Sequence, residues 1–270
     1  MIDLHSHLLP GLDDGPATLA DAVALARAAV ADGITTSVCT PHMAEAWPTA
    51  PARMREAVDA LRARLVEEEI PLELRTGGEI TLGWLAGMSD EDLAAASLGG
   101  SGRWLLIELR GGGWPLGLAD RLGDLEIRGF NVVFAHPERA EFVQRAPDRL
   151  HELVGRGALL QLNAESLLGE HGPRAATTAV TLLRGGLAHL IASDAHSADD
   201  RPPRLTAGLA AAERELRVDP GALAWMVEEG PSLVIEGRPV RPPRLAPVRK
   251  PAPRAVVRPA ARGGRRPTRR

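Results

Sequence analysis

Residues 3–15, DLHSHLLPGLDDG, decide how the rest of the chain is read. Met1, Ile2 and Leu4 alternate with Asp3 and His5, the pattern of a short strand buried on one side. His5 and His7 are two apart, so in an extended chain both imidazoles leave the same face. Two neutral imidazoles converging on one point suit a metal ion, because each offers a lone pair and neither repels the other. Pro10, Gly11 and Gly15 then break the strand in a loop carrying Asp13 and Asp14, from which a hard carboxylate would return to the same cation. H-x-H alone describes a solvated pair equally well; the remainder of the chain tips the balance.

Outward from this opening the same strand-then-ligand pattern recurs. Thr18 is placed to N-cap a helix through Leu19, Val23, Ala26 and Val30 that Gly33 stops. Further strands are expected over 34–40, 72–76, 104–109, 131–135, 158–162 and 189–193, the sixth of the seven giving onto Asn163, Glu165 and Ser166. Helices are expected over 52–69, 90–96 (capped by Ser89), around Leu118, Leu122 and Leu125, from Pro147 through Val154, and over 175–183, 205–216 and 219–229. The apolar piece 233–235 is expected to dock on the surface. No fixed-period repeat is present. Sevenfold βα alternation argues for parallel strands with helical crossovers, and in a βα barrel function collects where the strand C-termini converge. His5, His7, His42, Glu79, Glu108, His136, Asp194 and His196 all fall at expected strand ends, whereas His151, His171 and His189 do not. That sorting points to a metal centre at a barrel mouth.

At 270 residues, 44% hydrophobic and 25% charged, the chain has the composition of a globular protein able to bury a full core. Its single cysteine, Cys39, excludes an intramolecular disulfide and a cysteine-rich zinc site, and its strand-like setting suits a buried thiol. No apolar run reaches membrane-span length and no leader pattern is visible, so a cytoplasmic location is expected. The net charge of −3 hides an asymmetry: residues 239–270 carry ten Arg, one Lys and no acid, which leaves −14 on residues 1–238.

With Asp14, the strand-end residues make nine candidate ligands, five imidazoles and four carboxylates, enough for two or three cations sharing carboxylates. A mixed N/O set without thiolate suits Mn, Fe or Zn, and spacing does not choose among them. Such a cluster makes hydroxide from water near neutral pH and clamps the oxygens of an in-line displacement, which fits phosphoester hydrolysis. Arg139 and Arg201 follow His136 and His196, and a guanidinium fork matches phosphate oxygens. Residues 111–113, three glycines, lack nucleotide-cradle spacing and read as a flexible loop. Trp47, Trp84 and Trp114 fall in loop-like stretches near the rim, as an aromatic wall or as packing. No Arg lies six residues beyond Cys39, which excludes the cysteine-phosphatase signature.

DLHSHLLPGLDDGP, then TPHM, GGEI, LIELR, FAHPER, QLNAES and SDAHS with RPP after it, resemble the bacterial manganese-dependent protein-tyrosine phosphatases of capsule and exopolysaccharide loci, in the polymerase-and-histidinol-phosphatase (PHP) superfamily. The resemblance runs from Met1 to about Gly237. It implies a distorted seven-stranded (β/α)7 barrel over 1–238 with up to three ions, Mn2+ first and Fe or Zn as alternatives. The implied ligands are His5, His7, Asp14, His42, Glu79, Glu108, His136, Asp194 and His196, with Arg139 and Arg201 on phosphate. It implies attack by a metal-bound hydroxide, without a phosphoenzyme, on the phosphotyrosine of a bacterial tyrosine autokinase controlling polysaccharide export. The chain has no Tyr and is not its own substrate. A histidinol-phosphate-type phosphatase and a non-catalytic PHP scaffold are the alternatives. Beyond the family body, 239–270 is too Pro/Arg-rich to build a core and is expected to be disordered. Weak contact with the anionic inner face of the membrane fits its charge, and nucleic acid is not an expected partner, because no aromatics interleave the basic residues.

Overall fold

The structure, a computed structural model, describes residues 1–243. Nine strand segments follow one another: β1 Ile2–Ser6, β2 Thr36–Cys39, β3 His42–Met43, β4 Glu73–Thr76, β5 Glu79–Thr81, β6 Trp104–Glu108, β7 Asn131–Ala135, β8 Leu159–Asn163 and β9 Leu190–Ala192. The pairings are parallel, in a three-stranded sheet ordered β1-β2-β4 and a six-stranded sheet ordered β3-β5-β6-β7-β8-β9. The helices are α1 Leu19–Ala31, α2 Pro51–Glu67, α3 Leu82–Leu85, α4 Asp90–Ala95, α5 Leu118–Ile127, α6 Glu141–Arg145, α7 Leu150–Gly155, α8 Ala164–Leu168, α9 Gly172–Arg184, α10 Leu205–Leu216 and α11 Glu229–Ile235. The architecture is mixed α/β with parallel sheets.

Each expected strand forms, but β3 and β5 are additional short segments just beyond two of them. Pro41 has no N–H to donate and closes β2. Between β4 and β5 the chain passes so close to its neighbours that a Cβ on Gly77 would lie 2.7 Å from Val38 Cγ1, and one on Gly78 2.6 Å from Met43 Sδ. Glycine alone fits there, and the chain steps from one sheet to the other. Ser6 and Ala195 form an isolated parallel bridge between the ends of the two sheets. In β1 one extra residue shifts the register against β2 between Asp3 and Ser6, a bulge of the kind that re-aims side chains beside a site.

Alternate residues of the central strands divide between two cores. Leu105, Ile107, Val132, Phe134, Leu160 and Leu162 face the large core under the helices. Trp104, Leu106, Val133, Ala135 and Leu159 join Leu4, Val38, Leu98, Leu190 and Val234 in a smaller one. Cys39 is buried and free, as expected. Thr18 and Asp21 form a reciprocal capping box at the start of α1.

The end of the globule departs from expectation. Gly221 adopts φ +85°, outside helical space, so no helix runs over 219–229; a 3₁₀ turn, Ala224–Val227, leads instead into α11. The 233–235 piece does not dock on the surface: it is the last turn of α11, with Val234 fully buried in the smaller core. Pro147 likewise opens a 3₁₀ turn, Pro147–Arg149, that feeds α7. Val240 packs on the smaller core, and Trp104 Nε1 donates to the Arg238 carbonyl at 3.0 Å. From residue 244 on, the expected disordered tail lies outside the described residues. No helix among the described residues is long and apolar enough to cross a membrane.

Candidate metal centre

Five of the eight histidines converge where the parallel strands end. Four sets of donors each lie with their ligand atoms within 4.8 Å of one another: His7, Asp14, His42 and His196; His5, Glu79 and His136; His5, His7 and Asp194; and His42, Glu79 and Glu108. All nine candidate ligands are therefore brought together.

The tightest set is a near-equilateral triangle. His5 Nε2 and His7 Nε2 are 3.2 Å apart, and each lies 3.3 Å from Asp194 Oδ1. Nitrogens bonded to one cation at the 2.0–2.1 Å typical of zinc, at tetrahedral angles, would be separated by about 3.3 Å. Asp14 Oδ1 lies 3.3 Å from both His42 Nε2 and His196 Nε2 and, at 42% exposure, forms the open edge. Glu79 is wholly buried, with Oε1 2.9 Å from His136 Nε2 and 3.5 Å from His5 Nε2. Its Oε2 lies 2.7 Å from His42 Nδ1 but out of hydrogen-bonding alignment, so both atoms are buried without a hydrogen-bond partner among the described residues. Such orphaned groups cost roughly 1–3 kcal/mol each unless a further ligand completes them. The donor set fits a multinuclear cation site.

The imidazoles are held from behind. Asp13 Oδ2 lies 2.7 Å from His7 Nδ1 and also accepts from His42 N at 3.0 Å. Gln161 Oε1 lies 2.9 Å from His5 Nδ1, and the Asp194 carbonyl lies 2.8 Å from His196 Nδ1. A proton fixed on each Nδ1 leaves the Nε2 lone pair facing inward, as metal-ligating histidines require. The two loop aspartates thus divide their work, Asp13 orienting and Asp14 facing the cluster. His136 at φ 30° and Asp194 at φ 52° sit in the left-handed region that non-glycine residues seldom adopt, a strain characteristic of functional positions.

Asp194 uses both oxygens. Oδ1 faces His5 and His7, while Oδ2 accepts from Arg139 Nη1 at 2.6 Å, Asn163 Nδ2 at 2.9 Å and Arg201 Nη2 at 3.1 Å. The side chains of Arg139 and Arg201 remain 34% and 31% exposed, and Arg201 Nε is buried without a hydrogen-bond partner among the described residues. Burial would raise the Asp194 carboxyl, but His5, His7 and His136 outweigh it and hold it well below the carboxylate range; Glu79 is held down in the same way, with His5 its main opposing partner. Burial would lower His42, yet Asp14 and Glu79 push it up to about 9. This is the balance expected of ionised carboxylates that require positive charge nearby.

Arg110 stands two residues beyond Glu108, where the sequence marks only an arginine after a strand. It pairs with Glu108, lies 3.5 Å from His42 Nε2 and sits 5.8 Å from the Trp47 ring centroid. With Glu108, His136 and Arg139 it lines a cleft of about 440 Å³. Gly112, in the glycine loop, lines it too, and its carbonyl accepts from Arg145 at 3.0 Å. Of the three tryptophans, Trp47 touches the centre by stacking on His42, Trp84 lines a separate apolar cleft, and Trp114 packs on Phe142. Glu165 and Ser166 lie in α8; Asn163 both caps that helix and holds Asp194. Gln161 carried a signal, a lone polar residue inside an apolar strand.

Clustered imidazoles and carboxylates at the ends of parallel strands define a metal-site protein of the α/β class. The chain belongs to the family described as "Capsular polysaccharide synthesis, CpsB/CapC", whose sequence model covers residues 1–222. It is 34% identical over 249 residues to the tyrosine-protein phosphatase YwqE of Bacillus subtilis (strain 168), spanning 90% of this chain and 96% of that protein. It is 28% identical over 212 residues to the tyrosine-protein phosphatase CpsB of Streptococcus pneumoniae, spanning 75% and 86%. A chain from the crystal structures of YwqE from Bacillus subtilis and CpsB from Streptococcus pneumoniae, described as unique metal-dependent tyrosine phosphatases, shares the fold at TM-score 0.81 and 34% identity, over 93% of this chain and all of that one.

Proposed function

We propose that this protein is a metal-dependent protein-tyrosine phosphatase in which His5, His7, Asp14, His42, Glu79, Glu108, His136, Asp194 and His196 hold up to three ions, Mn2+ first with Fe or Zn as alternatives. The observation that carries this is the convergence of nine imidazole and carboxylate donors in four overlapping sets, in a chain whose relatives are named tyrosine phosphatases. The two sheets, bridged by Ser6 and Ala195, read as one distorted (β/α)7 barrel with β2–β3 and β4–β5 as interrupted staves.

When bound, the ions supply Lewis acidity toward phosphoryl oxygens and lower the pKa of water. The chain supplies the rest. Arg139 and Arg201 turn their remaining N–H groups to the phosphate and neutralise charge that grows in the transition state. Their bonds to Asp194 Oδ2 fix both forks before substrate arrives, so little orientation is lost on binding. The cleft between Arg110 and Arg139 receives the aromatic ring. A phenol of pKa about 10 is a good leaving group and asks less of a general acid than an alkyl alcohol would. The physiological substrate is then a phosphotyrosine on a bacterial tyrosine autokinase controlling polysaccharide export. Catalysis is cytoplasmic, with the basic residues of 239–270 giving salt-sensitive contact with anionic membrane.

Chelation should abolish turnover of a phosphotyrosine peptide and Mn2+ should restore it, with histidinol phosphate a much poorer substrate. Full turnover by protein verified as metal-free would overturn the proposal.

A further inference from the structure

We infer that Asp3 is a positioning residue for the metal centre: its carboxylate closes the seam between the first and last strands and thereby sets His5 and His7 against Asp194 and His196. The inference rests on the metal-dependent reading above, and it concerns a residue that touches no proposed ligand atom inside the cluster.

The seam has little ladder of its own. Among the described residues, the strand bearing His5 meets the chain after β9 at one isolated bridge, Ser6 with Ala195. Two backbone bonds flank it, Asp194 N to the His5 carbonyl and His7 N to the Ala195 carbonyl, both 2.8 Å. The cause lies in Asp194, whose left-handed φ of 52° turns the backbone out of strand geometry. On either side of it the N–H groups of Ser193 and Ala195 meet no strand carbonyl, and, being buried, they find side-chain acceptors.

Asp3 meets that need. Its Oδ1 accepts from Ser193 N at 2.9 Å, and its Oδ2 accepts from Ser193 Oγ at 2.5 Å. Ser193 Oγ in turn accepts from Ala195 N at 3.1 Å, completing a chain of bonds along the strained turn. Asp3 and Ser193 are each 1% exposed, so water does not stand in for either. A buried carboxylate is costly unless fully bonded, and an apolar residue here would leave Ser193 N unpaired. One carboxylate on β1 thus fixes the backbone that presents Asp194 and His196, and the 3.2–3.3 Å triangle of His5, His7 and Asp194 depends on both sides of that seam.

The test is Mn2+ titration by calorimetry into the chelated full-length chain, with thermal midpoints measured with and without Mn2+. Outer partners of metal ligands contribute about 10–100-fold in affinity, so Asp3→Ala should weaken Mn2+ binding by about that factor and shrink the Mn2+-induced rise in midpoint. Asp3→Asn keeps an acceptor for Ser193 N and an amide that can face the turned hydroxyl, and should rescue affinity to near wild type. Ser193→Ala removes only the hydroxyl and guards against a failure of Asp3→Ala to fold; it should weaken Mn2+ binding less than Asp3→Ala. If Asp3→Ala and Ser193→Ala lower the metal-free midpoint but bind Mn2+ as tightly as wild type, Asp3 is merely structural and the inference falls. If Asp3→Asn binds as poorly as Asp3→Ala, positioning by hydrogen bonding falls as well. A wild-type chain that takes up no Mn2+ would overturn the metal reading and, with it, this one.

Discussion

The two ends of the same strands are built for opposite purposes. Toward the starts, Trp104, Leu159 and Leu190 pack with Val133 and with Val234 of α11 in the smaller apolar core. At the finishes, two residues beyond Leu106 and one beyond Ala135, Glu108 and His136 enter a buried polar cluster with orphaned atoms and left-handed backbone. Apolar burial contributes about 25 cal/mol per Å² without directional demands, whereas buried charges need partners and are weak contributors to stability. Chemistry is therefore confined to the finishes while apolar packing begins at the starts and runs along the strands, of which β6 to β9 are only three to five residues long.

Substitutions at each end should separate these contributions. The largest effect is expected for Asp194→Asn, which should cut kcat/KM on a phosphotyrosine peptide by on the order of 10³ or more while the metal-free chain, though less stable, still melts as a folded protein. Loss of the folding transition together with the activity would dissolve the division. Leu106→Ala, at the apolar end, should cost about 2–5 kcal/mol of stability in denaturant melts and retain kcat/KM well below its midpoint. Arg139→Ala and Arg201→Ala should each cost about 2–4 kcal/mol of transition-state stabilisation, measured as kcat/KM at unchanged metal content. Wild-type rates in either variant would reduce that arginine to a partner of Asp194.

A smaller and pH-dependent effect is expected at His189, far from the centre. Burial lowers its pKa from 6.5 to about 4, and its Nδ1 accepts from Leu160 N at 2.9 Å. The native state therefore resists a proton that the unfolded chain takes up below pH 6.5. Its stabilising contribution is complete above that pH and is lost as pH falls through about 6.5 to 4, by about 3 kcal/mol in total. His189→Asn, which keeps an acceptor for Leu160 N, should flatten stability over that window in denaturant melts at stepped pH; an unchanged slope would place the acid sensitivity elsewhere.

Much of the architecture is legible without coordinates because it is written in local pattern. Alternation and β-branched runs mark the strands, Thr18 and Ser89 mark helix starts by capping geometry, and α10 occupies the residues its periodicity indicates. Eight of the nine donors stand out because imidazoles and carboxylates recur where apolar strands end, and Asp14 joins them from the loop after the first. Pattern fails where the backbone departs from a regular period: Gly221 removes the helix expected over 219–229, and the bulge in β1 appears in no spacing rule.

The sequence by itself determined which residues are available to a metal centre and that parallel strands would bring them to one rim, since both follow from chemistry and periodicity within a few residues. Tertiary structure decided their division of labour. Asp13 and Asp14 are neighbours of identical chemistry, yet one backs His7 and the other faces His42 and His196. Gln161 reaches His5 across 156 residues and Asp3 reaches Ser193 across 190. Such partnerships are set by register, a bulge and two left-handed residues acting together, and a hydrogen bond between distant strands leaves no period along the chain.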